Sequence, residues 1–252
     1  MKIARVSYGG GISFAVIEGD EAAEIDGPPI GEMRFTGKRV PLADCRLLAP
    51  TLPSKIVAIG VNYRDHAEEM GHTLPEEPLM FMKPGTAVIG VGDAIRKPPE
   101  CRRLDHEGEL AIVIGGLVRR ADRAAAVEGI LGYTVANDVT ARDLQIKDGQ
   151  WTRGKGFDTF APLGPWVETD IDPSGLDIEV RLNGDVRQQS NTKNLIFDAP
   201  ALVSYVSGVM TLLPGDVIMT GTPSGVGPME PGDTVEVEIS GIGVLTNTIA
   251  AG

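Results

Sequence analysis

Apolar residues along this chain come in short bursts of three to six, and glycine, proline or aspartate interrupts each burst. Ile3-Ala4-Arg5-Val6 and Ser13-Phe14-Ala15-Val16-Ile17 flank Gly9-Gly10-Gly11, which predicts a hairpin. Gly19-Asp20 starts the next turn before Ala22-Ala23-Glu24-Ile25. Leu48-Ala49-Pro50-Thr51-Leu52-Pro53 is extended and proline-punctuated, so a domain boundary is placed there: a small β domain over 1–50 and a larger domain over 51–252. Ile56-Val57-Ala58-Ile59-Gly60 reads as a strand, followed over 62–71 by a short helix stopped by Gly71 and Pro75. Further strands are predicted over 110–114 and 130–139, with a helix capped by Asp122 between them. Thr140 is read as the cap of a short helix through Gln145. Asn183-Gly184 marks a second hairpin.

Asp198 caps the clearest helix, where Leu202, Val203, Val206, Val209, Met210 and Leu213 recur at helical spacing. Two Pro-Gly-Asp turns, at 214–216 and 231–233, each launch a strand, the second alternating Val235, Val237 and Ile239. The 32 glycines and 18 prolines fit this density of turns. The pattern as a whole predicts a β-rich α+β protein with few helices.

Composition narrows the function. Lys and Arg number 23 against 35 Asp and Glu, a net charge of −12, which disfavours nucleic acid and anionic membranes as partners. No apolar run is long enough to span a membrane and no secretory signal is visible, so a cytoplasmic protein is expected. Cys45 and Cys101 form no CxxC pair and fit a reducing compartment.

The chemistry concentrates in acidic positions. Glu107 and Glu109 precede and open a strand and share a face; two like charges there are unfavourable unless a cation lies between them. Asp138 ends the apolar stretch Tyr133-Thr134-Val135-Ala136-Asn137, where an acid must be paired or metal-bound. Three carboxylates without a nearby thiol suit Mg²⁺ or Mn²⁺, with Ca²⁺ as a third hard cation. His106 points away from Glu107 and Glu109 and is read as non-ligating. Arg142 and Gln145, one turn apart, and Lys155 between two glycines are candidate contacts for an anion. His66 and Glu69 share a helical face, the arrangement of a general base that activates water. Gly221-Thr222-Pro223-Ser224-Gly225-Val226-Gly227-Pro228 is a loop whose N–H groups and Thr222 hydroxyl suit a carboxylate.

These segments together resemble the fumarylacetoacetate hydrolase family. The matching pieces are Gly60-x-Asn62-Tyr63-x-x-His66-x-x-Glu69, Phe81-Met82-Lys83-Pro84, Glu107-x-Glu109-Leu110, Asn137-Asp138-x-Thr140-Ala141-Arg142-Asp143-x-Gln145, Lys155-Gly156-Phe157-Asp158 and the 221–228 loop. The resemblance implies a mixed β-roll catalytic domain, a small N-terminal β domain and a homodimer. It implies Mg²⁺ or Mn²⁺ on Glu107, Glu109 and Asp138, and catalysis by His66, Glu69 and Lys155, with His66 and Glu69 on a lid. It places the 2-oxo acid end of a small anionic substrate against Arg142, Gln145, Thr222 and Lys155. The expected reaction is hydrolysis of the C3–C4 bond of an acylpyruvate through an enolate. Oxaloacetate decarboxylation and 2-hydroxyhepta-2,4-diene-1,7-dioate isomerisation are alternatives at the same site, and aromatic-compound catabolism is the setting by analogy. A binding protein with a structural Ca²⁺ site is the remaining class.

Overall fold

A computed structural model describes residues 1–69 and 73–252, apart from the side chains of residues 66 and 67. Strands dominate, as the turn density predicts. The largest sheet runs, edge to edge, through Phe35–Pro41, Glu21–Ile25, Gly11–Glu18, Lys2–Tyr8, Ala161–Glu168, Ile130–Asn137, Gly108–Ile114, Val217–Met219, Ile56–Gly60 and Leu79–Lys83. It is mixed: Val217–Met219 runs parallel to Ile56–Gly60, while the other neighbours on this path are antiparallel. The N-terminal strands join it through Lys2 opposite Glu168 and Ile3 opposite Val167.

A second sheet of five strands, Asp185–Asn191, Asp177–Leu182, Thr234–Ile239, Gly243–Ala251 and Ala94–Lys97, packs on the first. Its inward residues Ile178, Val180, Val235, Val237 and Leu245 share a core with Leu110, Ile112 and Val135. Gly108 permits this closure, because a Cβ there would stand 2.3 Å from Val180 Cγ2. A third sheet of three short strands, Thr140–Ala141, Leu104–His106 and Gly227–Met229, draws three distant stretches to one end of the barrel-like core. Among the described residues no helix is long and apolar enough to cross a membrane.

Helix Arg123–Glu128 begins at Asp122, whose side chain accepts from the Ala125 amide, and helix Ala199–Val209 begins at Asp198, which accepts from Ala201. Leu202, Val203 and Val206 are buried as the spacing requires. The stripe breaks earlier than expected: Val209 is exposed, Met210 ends the helix in an extended conformation, and Leu213 lies beyond it. The cause is tertiary, because the chain leaves the helix to pair Leu212 with Val118. Thr140 does not cap a helix. It lies in a two-residue strand against Leu104 and Asp105, and helix Arg142–Asp148 starts after Ala141 with no side-chain cap. The helix near Tyr63 spans Arg64–Glu69; its expected stop at Gly71 lies outside the described residues.

Candidate metal centre and pocket

Strand Gly108–Ile114 is fenced by Ile130–Asn137 on one side and Val217–Met219 on the other, and all seven of its residues are buried. Glu109, on that strand, is 1% exposed. Glu107 sits one residue before it and is fixed by its backbone: its amide donates to Asn137 Oδ1 at 3.0 Å and its carbonyl accepts from the Asp138 amide at 2.8 Å. These bonds seat Asp138 beside Glu107 although 30 residues separate them in the chain. One carboxylate oxygen from each of Glu107, Glu109 and Asp138 lies within 4.8 Å of the others.

Three buried like charges so close need compensation. Lys155 supplies part of it, with Nζ 2.8 Å from Glu107 Oε2 and 2.6 Å from Asp138 Oδ2, and is itself 2% exposed. Lys83, also buried, pairs with Asp138 and donates to the Val139 carbonyl at 3.1 Å. Arg142 bridges Asp105 Oδ2 at 2.9 Å and Glu107, and its Nη1 donates to Gln145 Oε1 at 2.6 Å. Asp105, fully buried, also holds Arg103 at 2.8 Å.

The compensation is unequal. Burial alone would raise the Glu107 carboxyl, but Lys155 and Arg142 outweigh it and hold the group at about 2. Glu109 goes the other way: burial first, then the charges of Asp138 and Glu107, push its carboxyl well above the usual range. The charge of Lys155 and the hydrogen bond from the Gly221 amide at 2.7 Å do not offset them. Among the described residues no cation pairs directly with Glu109, and a divalent cation would supply that charge. The donors are all carboxylate oxygens, which suits a hard ion. His106 is turned away, with Nδ1 3.1 Å from Gln188 Oε1, as its place on the strand predicts.

The trio forms the floor of a cavity of about 240 Å³. Arg142, Gln145, Lys155 and Thr222 line it, together with an apolar wall of Phe81, Trp151, Ile59 and Ile146. Phe81 and Trp151 meet edge to face at 5.1 Å, and Lys155 Nζ lies 5.1 Å from the Phe81 ring centre. Gly60 is required here, since a Cβ would stand 2.9 Å from the Trp151 ring. The next residue, Val61, also lines the cavity and is held at φ +54°, a conformation that costs a β-branched residue about 1–3 kcal/mol.

The structure thus brings seven of the nine expected site residues to one cavity. Glu69 instead accepts from the Gly225 amide at 3.3 Å, on the glycine-rich loop beside Thr222. The His66 side chain lies outside the described residues. Three local expectations are corrected. The glycines flanking Lys155, which ends helix Thr152–Lys155, serve packing and not approach to a ligand: a Cβ on Gly154 would meet the Gln145 backbone at 2.8 Å. The loop amides of Gly221 and Gly225 face the chain's own carboxylates, Glu109 and Glu69. The Thr222 hydroxyl is already engaged, 2.9 Å from the Gly108 carbonyl and 2.8 Å from Gln188 Nε2.

Sequence reasoning gave no role to Lys83, Asp105, Phe81, Trp151 or Gln188. Only Lys83 and Phe81 had a signal, the motif Phe81-Met82-Lys83-Pro84.

Comparison with known proteins agrees with this geometry. Residues 55–250 match the model of the fumarylacetoacetate (FAA) hydrolase C-terminal family, and residues 1–50 match the model described as Rv2993c-like, N-terminal. Protein Rv2993c of Mycobacterium tuberculosis is 51% identical, covering 99% of this chain and 98% of its own length. A mitochondrial oxaloacetate tautomerase of Xenopus laevis is 45% identical over 81% of this chain and 68% of its own. Among solved structures, a 5-carboxymethyl-2-hydroxymuconate delta-isomerase from Mycobacterium smegmatis superposes with a TM-score of 0.95 at 51% identity over both full chains. The maleylpyruvate hydrolase from Sphingobium sp. SYK-6, solved with manganese(II) and pyruvate, gives 0.83 at 32% identity, again over both full chains. By motif, fold and sequence the chain belongs to the fumarylacetoacetate hydrolase family.

Proposed function

We propose that the protein is a divalent-metal-dependent enzyme that interconverts keto and enol forms of small anionic 2-oxo acids, as a tautomerase or a diene-diacid isomerase. The observation that carries this reading is the convergence of Glu107, Glu109 and Asp138 within 4.8 Å beneath a cavity also lined by Arg142, Gln145 and Lys155. These three carboxylates would hold Mg²⁺ or Mn²⁺. When bound, such an ion supplies Lewis acidity toward the oxygens of the 2-oxo acid head.

The chain's own groups do the remaining work. Lys155 fixes the Glu107 and Asp138 carboxylates and keeps an ammonium beside the place where negative charge develops. Arg142, braced by Asp105, with Gln145 bonded to it, receives the substrate carboxylate. Phe81 and Trp151 exclude water from the conjugated part of the substrate. In tautomerisation a proton leaves C3 and returns to the C2 oxygen; in isomerisation of a 2-hydroxy-2,4-diene the C2 hydroxyl loses its proton and C5, the far end of the conjugated chain, gains one, leaving a 2-oxo-3-ene. No carbon–carbon bond breaks in either. Support for this outcome comes from relatives named as an isomerase and a tautomerase at 51% and 45% identity.

A second reading is hydrolysis of an acylpyruvate. Helix Arg64–Glu69 favours it, because Glu69 is tied to the loop that carries Thr222, which sets the helix beside the cavity. His66 with Glu69 would then deliver hydroxide to the C4 carbonyl. The C3–C4 bond breaks, the acyl group leaves as a carboxylic acid, and pyruvate takes a proton at C3. In either reading, residues 51–252 are the catalytic domain, residues 1–50 a small β domain, and the active form is a cytoplasmic homodimer.

The test is a substrate panel of oxaloacetate, acetylpyruvate, fumarylpyruvate and a 2-hydroxy-dienedioate, with protein stripped by EDTA and then reloaded with Mg²⁺ or Mn²⁺. Keto–enol or diene interconversion outpacing C–C cleavage and CO₂ release supports the first reading. Faster acylpyruvate cleavage, abolished in His66→Ala, supports the second. Turnover unaffected by EDTA would refute both.

A further inference from the structure

Gln188 belongs to no motif, yet it is 1% exposed and its amide bonds to Gly108, between Glu107 and Glu109, and to Thr222 of the cavity lining. It sits on strand Asp185–Asn191 of the five-stranded sheet. Its Oε1 accepts from the Gly108 amide at 3.0 Å and faces His106 Nδ1 at 3.1 Å. Its Nε2 donates to Thr222 Oγ1 at 2.8 Å and to the Pro223 carbonyl at 2.8 Å. The amide orientation is forced, because Gly108 N–H can only donate and Pro223 C=O can only accept. It follows that His106 carries its proton on Nδ1. It also follows that Thr222 Oγ1 accepts from Gln188, so its own proton goes to the Gly108 carbonyl, 2.9 Å away. Thr222 lines the cavity with one lone pair left over.

We propose that Gln188 is a positioning residue that clamps the Glu107–Gly108–Glu109 segment to the Thr222 loop and sets Thr222 as a hydrogen-bond acceptor toward the cavity. The group received there is a donor, a water or the enol hydroxyl of the substrate, rather than a carboxylate oxygen. Gly108 lies between two of the three clustered glutamates and aspartate in sequence, and Gly221, next to Thr222, donates to Glu109. One side chain therefore ties the acidic floor of the cavity to its wall. This inference rests on the enolisation reading for its kinetic test, and a structural readout keeps it independent of that reading.

Gln188→Glu retains length and the acceptor toward Gly108 but replaces the donor facing Thr222 and Pro223. With Mg²⁺ present, kcat is expected to fall at least tenfold while Mn²⁺ affinity, measured by calorimetry, stays within threefold of wild type. Acid restores the donor by protonating the new carboxyl, so the ratio of variant to wild-type kcat rises as pH is lowered. A purely structural role would leave that ratio flat. Thr222→Val should reproduce the defect, and the double variant should be no worse than either single one. Independently of turnover, amide hydrogen exchange in Gln188→Met should speed up in both 106–109 and 221–225. The proposal is overturned if kcat is unchanged in active enzyme, if the pH ratio is flat, if the two defects add, or if exchange in the Thr222 loop is unaltered. An inactive wild type would instead refute the function, and the exchange result would still decide this inference.

Discussion

Replacing Lys155 with methionine keeps most of the side-chain volume and deletes one buried charge beside the acidic trio. In wild type the ammonium lies 2.8 Å from Glu107 and 2.6 Å from Asp138, all three groups being buried. Removing one partner of a buried ion pair costs about 3–5 kcal/mol, because the other is left uncompensated. For a chain of this size each kcal/mol moves Tm by roughly 2–4 °C, so the ion-free variant should melt on the order of 6–20 °C lower. A divalent cation would return positive charge to the same carboxylates. At an ion concentration about a thousandfold above Kd, binding contributes about 4 kcal/mol of stability. The Tm gain from Mn²⁺ should therefore be larger in Lys155→Met than in wild type, because Glu107 and Asp138 have lost their ammonium. Thermal unfolding by circular dichroism, in EDTA and in saturating Mn²⁺, measures both. A variant in EDTA within about 2 °C of wild type would refute the charge argument, as would a smaller Mn²⁺ response.

Glu109 yields a pH prediction. Its carboxyl is raised by burial and by Asp138 and Glu107, so its contribution to stability is present below the ordinary carboxylate pKa and is lost as pH rises through the raised value. A bound cation needs the ionised form, so binding should release about one proton and tighten with pH; calorimetry in buffers of different ionisation enthalpy reads this directly, and no release would contradict it. Asp216 behaves oppositely. It is fully buried, receives Ser54 Oγ at 2.6 Å and the Leu213 amide at 2.8 Å, and pairs with Lys55; burial would raise its carboxyl, but these partners hold it below the usual range. Its stabilisation is present above the ordinary carboxylate pKa and lost as pH falls through the depressed one. Asp216→Asn should cost about 1.5–3 kcal/mol at neutral pH by urea unfolding, a difference that shrinks in acid; an equal loss at both pH values would refute it.

Much of this molecule is readable from the chain because local rules decide it. The caps Asp122 and Asp198, the Asn183-Gly184 hairpin and the two Pro-Gly-Asp turns each follow from chemistry within a few residues. The acidic trio was also accessible, since strand periodicity makes Glu107 and Glu109 conspicuous and the end of an apolar run makes Asp138 conspicuous. What escaped depends on pairing at long range. Thr140 has the composition of a cap, but strand Leu104–His106 claims its backbone and Glu107 its hydroxyl, 3.1 Å away. Lys155 is marked in the chain by its flanking glycines and by the family resemblance, but its burial between Glu107 and Asp138 depends on segments 48 and 17 residues away. Gln188 sits in a polar hairpin strand with no local mark of function, and only the packing of one sheet on another carries its amide to Gly108.

The central claim is that Glu107, Glu109 and Asp138 form one divalent-cation site, and titration of EDTA-stripped protein with Mn²⁺ by calorimetry tests it most directly. Wild type should show a single saturable site, which Glu109→Gln and Asp138→Asn each weaken at least a hundredfold while both variants remain folded by circular dichroism. Undiminished Mn²⁺ binding in folded Glu109→Gln, or no saturable binding in wild type, would contradict the account.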